Sequence, residues 1–307
     1  MPNVSLPQYS VFNITLLTLI VSVVFTFQAS AEIVHQERSM YRNIIVEDQG
    51  DLRCLKFNVK RSKSSQSCFY KSNPHKLVFN YTKLLFSGLL VVDEPQNILI
   101  IGLGGGTMSN TLHQLFPQAN IDNVEIDPAV ISVARSYFGF FENSHVRSIV
   151  QDGRIFVKRA ALKKQKYDWI ILDAFNGDYI PEHLLTQEFL QEVKSVLTED
   201  GVLTANTFSI SELYNHESAT YKTVYGDFFN VRNSNNSNRV ILGNVKSLPT
   251  NEEILQRVAQ LSDKLQPFGV DIKAIEGSLT STADVQDWPN DTRILTDQYS
   301  PANLLKQ

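Results

Sequence analysis

The chain has 307 residues, of which 28 are Lys or Arg and 32 are Asp or Glu, which gives a formal net charge of −4. Hydrophobic residues make up 43% and charged residues 20%, an ordinary globular composition that excludes a disordered chain, a collagen-like fibre and a disulfide-dense miniprotein. The mildly acidic balance argues against nucleic acid as the main partner, because phosphate binding needs clustered Lys and Arg.

The first segment, residues 1–31, has no charged side chain. Residues 11–27 are apolar apart from Asn, Thr and Ser, and Ala-Ser-Ala at 29–31 has the small-x-small form of a signal-peptidase site. The apolar run is short for a spanning helix, which needs roughly 20 residues. We therefore expect a cleaved signal peptide or a retained membrane anchor at 1–31, with a buried core helix as the remaining alternative. The expected location is membrane-anchored or exported to the periplasm, with the side of the membrane left open.

A small N-terminal domain is expected at 32–95. Residues 41–57 alternate between polar and apolar around the turn at 48–51, which predicts a β-hairpin. Residues 77–92 form a mostly apolar helical stretch that ends at Asp-Glu-Pro, a natural boundary.

The chain has two cysteines, Cys54 and Cys68, on either side of a turn rich in Lys and Ser. The arms of a hairpin could bring them together as a disulfide, and two buried free thiols are the alternative.

From residue 97 the pattern changes to alternating strands and helices. Expected strands cover residues 97–101, 121–126, 146–150, 169–172 and 202–207. Expected helices cover residues 107–116, 183–197 and 251–265, and a further one begins at Pro128. This alternation predicts a parallel sheet with helices on both faces, followed by an antiparallel edge hairpin at 228–231 and 240–245. We therefore expect residues 96–307 to form one α/β domain, which the resemblance given below identifies as a Rossmann-like nucleoside-binding catalytic domain.

A glycine-rich turn, Gly102-Leu103-Gly104-Gly105-Gly106, stands between the first of these strands and its helix. Glycines let a backbone turn tightly and approach a ligand closely. The G-x-G-x-G spacing is that of the nucleoside-binding turn in S-adenosylmethionine-type folds, and a purely structural turn is the alternative.

Acidic residues follow the next three strands. A carboxylate at Glu125 can accept both ribose hydroxyls, whereas Asp127 before Pro128 fits a helix N-cap. Asp152, before Gly153, stands where this fold faces the adenine amino group, with helix capping as the alternative. Asp173 follows a buried strand and should lie beside the glycine-rich turn, because open α/β sheets place their sites at the carboxyl ends of strands.

These motifs resemble the spermidine synthase (polyamine aminopropyltransferase) family, and in particular a divergent spermidine synthase-like branch. The matching segments are residues 39–44, Tyr81 and residues 100–106, 125–127, 151–153 and 167–173, with 173–181 and 295–301 typical of the divergent branch.

The resemblance implies a Rossmann-like, S-adenosylmethionine-type methyltransferase fold with a small N-terminal β domain, assembled as a homodimer. It implies transfer of an aminopropyl group from decarboxylated S-adenosylmethionine to a diamine such as putrescine, with release of methylthioadenosine and without a metal or a tightly bound cofactor. It assigns Asp173 as the base that faces the amine. Residues Gly102, Gly104, Gly106, Glu125, Asp152 and Gly153 would bind the nucleoside, and Tyr81, Asn176 and Asp178 the amine.

The sequence also departs from the family pattern. Gly105 replaces the acid that holds the donor's amino group, and Asn176 replaces the second acid near Asp173, with Asp178 as its substitute. Arg42 replaces a glutamine and would repel a cationic amine. Two alternatives therefore stand beside aminopropyl transfer. One is a methyltransferase that uses intact S-adenosylmethionine, and the other is a non-catalytic polyamine- or nucleoside-binding module.

Overall fold

The computed structural model describes residues 31–57, 65–175, 179–232 and 237–301. The expected signal or anchor, apart from Ala31, and the predicted residues Asn176 and Asp178 lie outside these ranges. Within them, no helix is long and apolar enough to cross a membrane. The longest described helix has 15 residues and extends about 22 Å, less than the roughly 30 Å of a bilayer's hydrocarbon core.

The N-terminal sheet has five antiparallel strands that pair in sequence order. They are β1 (Glu32–Arg38), β2 (Asn43–Gln49), β3 (Leu52–Phe57), β4 (Ser65–Tyr70) and β5 (Asn73–Leu77). The predicted hairpin is formed by β2 and β3, and Gly50 in its turn has a φ of +60°, a region that favours glycine.

Cys54 on β3 lies opposite Cys68 on β4, and the two form a disulfide. This observation decides between the bonded and free states that the sequence left open. The bond ties β4 to the centre of the N-terminal sheet, next to residues that reach the functional cleft described below.

The second sheet has eight strands in the order β13-β11-β12-β10-β9-β6-β7-β8. They are β6 (Asn97–Ile101), β7 (Asn120–Glu125), β8 (Val146–Val150), β9 (Tyr167–Leu172), β10 (Leu197–Phe208), β11 (Phe229–Arg232), β12 (Asn238–Asn244) and β13 (Leu279–Ser281). Strands β6 to β10 are parallel, and the order reverses at β6, which pairs with both β7 and β9. The predicted hairpin of β11 and β12 is antiparallel, but β13 rather than β11 forms the sheet edge.

Eight α-helices accompany the sheets in the described ranges. They are α1 (Asn80–Leu85), α2 (Thr107–Leu115), α3 (Pro128–Tyr137), α4 (Gly153–Leu162), α5 (Gln187–Ser195), α6 (Tyr214–Tyr225), α7 (Asn251–Leu265) and α8 (Ile272–Glu276). Two helix predictions are too long. The stretch predicted at 77–92 is α1 followed by a 3₁₀ turn, and the helix predicted at 183–197 begins only after Thr186, whose side chain caps α5.

Apolar side chains cover both faces of the eight-stranded sheet, which agrees with its near-continuous hydrophobic strands. A third cluster joins the two sheets: Ile44, Val46 and Leu55 pack against Val130 and Val133 of α3. This packing holds the N-terminal sheet over the carboxyl ends of the parallel strands.

Candidate active site

The carboxyl ends of β6, β7 and β9 open into a cleft of about 280 Å³. This is the crevice at the point of strand-order reversal, where open α/β sheets bind ligands. The predicted site residues that line it are Tyr81, Gly102, Gly104, Glu125, Asp152, Gly153 and Asp173. Gly106 does not line the cleft and instead precedes α2 with a φ of +73°.

The glycine-rich turn runs directly against the segment that follows β9. Gly102 has a φ of +100°, and a Cβ there would lie 2.4 Å from the carbonyl oxygen of Asp173. The amide of Asp173 donates to the carbonyl of Ile101. Glycine at 102 therefore lets Asp173 lie beside the turn, as the strand order predicts.

Glu125 ends β7 with its carboxylate held by the backbone. Its oxygens accept hydrogen bonds from the amides of Leu103, at 3.2 Å, and Asp127, at 3.1 Å. Burial raises the pKa of Glu125, while these two amides and the charge of Arg42 oppose that rise. Asp127 accepts from the amide of Ala129 and caps α3, the structural role that the sequence offered for it.

Asp152 has both a capping contact and a contact with a histidine. One oxygen accepts from the amide of Ile155 at 2.9 Å, at the start of α4, and the other lies 2.8 Å from Nε2 of His183. Sequence reasoning missed His183 because it placed that residue inside a longer helix. Two fixed contacts hold the carboxylate in one orientation at the edge of the cleft.

Asp173 lies beside a buried amide. Its Oδ1 accepts a hydrogen bond from Nδ2 of Asn206 on β10 at 2.8 Å. Desolvation in the cleft raises the pKa of Asp173 to about 7, although the hydrogen bond from Asn206 lowers it. Tyr81 is close enough for the charge of Asp173 to add to burial in raising the pKa of the Tyr81 hydroxyl well above its usual value. A carboxyl group with a pKa near 7 can accept and release a proton at neutral pH.

Arg42 spans three parts of the cleft. Its guanidinium lies 4.5 Å from the centre of the Phe57 ring, Nη1 donates to the carbonyl of Phe175 at 3.2 Å, and Nε lies 3.7 Å from a carboxylate oxygen of Asp127. The expected repulsion of a cationic amine is therefore reduced, because Arg42 is paired with one carboxylate and faces Glu125.

A buried ion pair lies behind the segment that follows Asp173. Arg239 and Glu217 are fully buried and 2.9 Å apart, and the hydroxyl of Tyr179 donates to Glu217 at 2.6 Å. Tyr179 thereby fixes the end of that segment to α6 and β12.

No cluster of three or more His, Cys, Asp or Glu side chains suited to a metal ion occurs within the described ranges. The polar groups that line the cleft include carboxylates, hydroxyls and backbone amides, together with the guanidinium of Arg42 and the imidazole of His183.

Comparison with known proteins places these features in context. The model of the spermine/spermidine synthase domain matches residues 79–234. A polyamine aminopropyltransferase of Vibrio vulnificus is 47% identical over 276 residues, which cover 89% of this chain and 91% of that protein. An eEF1A lysine and N-terminal methyltransferase of Bos taurus is 35% identical over 140 residues, 43% of this chain and 20% of that protein. The structure of a probable spermidine synthase from Corynebacterium glutamicum has the same fold, with a TM-score of 0.69 and 19% identity over 88% of this chain and 98% of that one.

The expected membrane-anchored or exported location is wrong. It is contradicted by the comparison, since a relative that matches most of this chain is a polyamine aminopropyltransferase. The expected signal peptide or anchor at 1–31 falls, apart from Ala31, outside the described residues and stays a prediction.

Proposed function

This chain belongs to the spermine/spermidine synthase family and is an aminopropyltransferase, and we propose decarboxylated S-adenosylmethionine as its donor, a diamine such as putrescine as its acceptor and Asp173 as its catalytic base. The observation that carries this proposal is the position of Asp173, beside the glycine-rich turn and with a pKa of about 7.

The acceptor amine must lose a proton before it can react. An alkylamine has a pKa near that of lysine, about 10.4, so it arrives as an ammonium ion that is not nucleophilic. The ionised Asp173 attracts this ion and takes one of its protons. The freed nitrogen lone pair then forms a bond to the methylene carbon next to the donor's sulfonium. The carbon–sulfur bond breaks, its electrons return to sulfur, and methylthioadenosine leaves.

The cleft contributes to the rate mainly by positioning the two substrates. A sulfonium is already a good leaving group, so holding amine and donor in line supplies much of the rate enhancement. We assign the ribose hydroxyls to Glu125, the adenine amino group to Asp152, and the nucleoside's close approach to Gly102, Gly104 and Gly153. Tyr81 lines the path of the amine. Asn176 and Asp178 remain predictions for the acceptor's second ammonium.

We also propose a homodimer. Strand β1 is an outer strand of its sheet, and Ile33 and Val34 are exposed on it. Light scattering should give about twice the mass of the chain. A monomer mass at working concentration would refute the proposed homodimer.

The test is a reaction of the purified protein with putrescine and decarboxylated S-adenosylmethionine, followed by mass spectrometry. Spermidine and methylthioadenosine should appear together in equal amounts. Asp173→Asn should abolish both products and retain methylthioadenosine binding, whereas Asp263→Asn, an exposed aspartate on α7, should leave activity unchanged. S-adenosylhomocysteine formed from intact donor, with no spermidine, would replace this proposal with methyl transfer. Binding without either product would indicate a non-catalytic module.

A further inference from the structure

We propose that the hydroxyl of Ser67, on β4 of the N-terminal sheet, accepts a hydrogen bond from the terminal ammonium of the donor, and that this neutral contact leaves only a weak preference for decarboxylated over intact S-adenosylmethionine. The inference rests on the donor proposed above. Three observations support it: the position of Ser67 in the cleft, the unused hydrogen-bond acceptors of its hydroxyl, and the lack of room for a side chain at Gly105.

The carboxyl edge of the sheet orders the parts of the donor. Going along the sheet from β8 to β9, the cleft presents Asp152, Glu125, the glycine-rich turn and Asp173 in that order. A nucleoside with its adenine at Asp152 and its ribose at Glu125 therefore places its sulfonium and side chain near the turn. The reacting carbon must reach this end, because the base lies there.

Ser67 forms the wall at that end. Its side chain lines the cleft, and its Oγ would lie 2.7 Å from a Cβ added to Gly105. The Ser67 hydroxyl makes no hydrogen bond to any residue in the described ranges, so its lone pairs are available to a ligand. An ammonium is a suitable donor for such an acceptor.

The turn itself cannot supply a carboxylate at this point. A Cβ on Gly105 would also lie 2.9 Å from the buried ring of Phe138, so a side chain at 105 has no room. The donor's ammonium consequently meets a neutral hydroxyl. A hydroxyl attracts the ammonium without strongly repelling the carboxylate of intact S-adenosylmethionine, so the wild-type chain should separate the two donors only weakly.

Calorimetry with three ligands tests this assignment. Decarboxylated S-adenosylmethionine has the aminopropyl chain, intact S-adenosylmethionine adds a carboxylate, and methylthioadenosine lacks the chain altogether. Ser67→Ala should raise the Kd of the decarboxylated donor about tenfold, which corresponds to the loss of one hydrogen bond to a charged group. The Kd of methylthioadenosine should change by less than twofold. Ser67→Asp should raise the preference for the decarboxylated over the intact donor at least tenfold. Ser65→Ala, on the same strand but away from the cleft, is the control.

The possible outcomes distinguish a failure of the Ser67 inference from a failure of the proposed function. Equal weakening of methylthioadenosine and the decarboxylated donor by Ser67→Ala would show that Ser67 supports the fold or the nucleoside site, and would overturn the inference. An unchanged donor preference in Ser67→Asp would also overturn it. A wild-type chain that binds neither decarboxylated S-adenosylmethionine nor methylthioadenosine would refute the proposed function and this inference together.

Discussion

Replacing Asn206 with leucine should move the acidic limb of the pH–rate profile to higher pH. Asn206 Nδ2 donates to Asp173 at 2.8 Å and, among the described side chains, is the contact that lowers the pKa of this carboxyl group against the effect of desolvation. Leucine has a similar shape and no N–H group. The ionised form of Asp173 loses its donor, whereas the protonated form loses little, so the pKa must rise.

The size of the effect follows from the energy of one hydrogen bond to a charged group. Such a bond contributes about 1.5–3 kcal/mol, and about 1.4 kcal/mol corresponds to one pH unit. The midpoint should therefore move up by about one to two pH units from about 7. With a base that must be ionised to act, kcat/KM at pH 7 should fall roughly five- to fiftyfold and recover on the alkaline plateau.

The assay is kcat/KM for putrescine from pH 5.5 to 9.5, measured for the wild type, Asn206→Leu and Asn230→Leu. Asn230 is a matched control, because it is also a buried strand asparagine but makes no contact with Asp173. An unshifted midpoint with a lower plateau in Asn206→Leu would show a merely structural role. An unshifted midpoint at full activity would mean that Asp173 is not the titrating base.

Three further perturbations test the supporting structure. Reducing the disulfide between β3 and β4 should lower the free energy of unfolding by about 3 kcal/mol in denaturant titrations, because it closes a loop between cysteines 14 positions apart; an unchanged midpoint would contradict this. Arg239→Met leaves the charge of Glu217 buried and unpaired and should cost about 3–5 kcal/mol by the same method, with Glu217→Leu in the same chain restoring part of it. His183→Ala frees one oxygen of Asp152, and the preference for adenosine over inosine nucleosides should fall several-fold in calorimetry; an equal preference in variant and wild type would exclude a role for His183 at the base.

The part of the site that local signals determine could be predicted from the sequence. Glu125, Asp152 and Asp173 each follow an apolar strand, and parallel strands bring their carboxyl ends to one edge, so sequence order alone placed them together. The same logic found the glycine-rich turn. The capping role of Asp127 followed from the proline after it.

Contacts between distant segments could not be predicted in this way. The helix expected at 183–197 begins late because Thr186 caps it and bonds to Asp297, a residue 111 positions away. The contact of Asn206 with Asp173 depends on the pairing of β9 with β10. Ser67 reaches the turn only because the N-terminal sheet packs on α3, which no periodicity in residues 65–70 encodes.

Two carboxylates in this cleft divide their roles through their hydrogen-bond partners. Burial acts on both and raises both pKa values. Glu125 has two backbone amides and the charge of Arg42 to oppose that rise, and its two oxygens are the acceptors that we propose for the ribose hydroxyls. Desolvation raises the pKa of Asp173 to about 7, and among the described side chains the neutral amide of Asn206 opposes that rise. A second charge-bearing donor next to Asp173 would lower its pKa and make it a weaker base. A neutral partner such as Asn206 therefore suits the role we propose for Asp173, since a base matched to the working pH transfers protons most effectively.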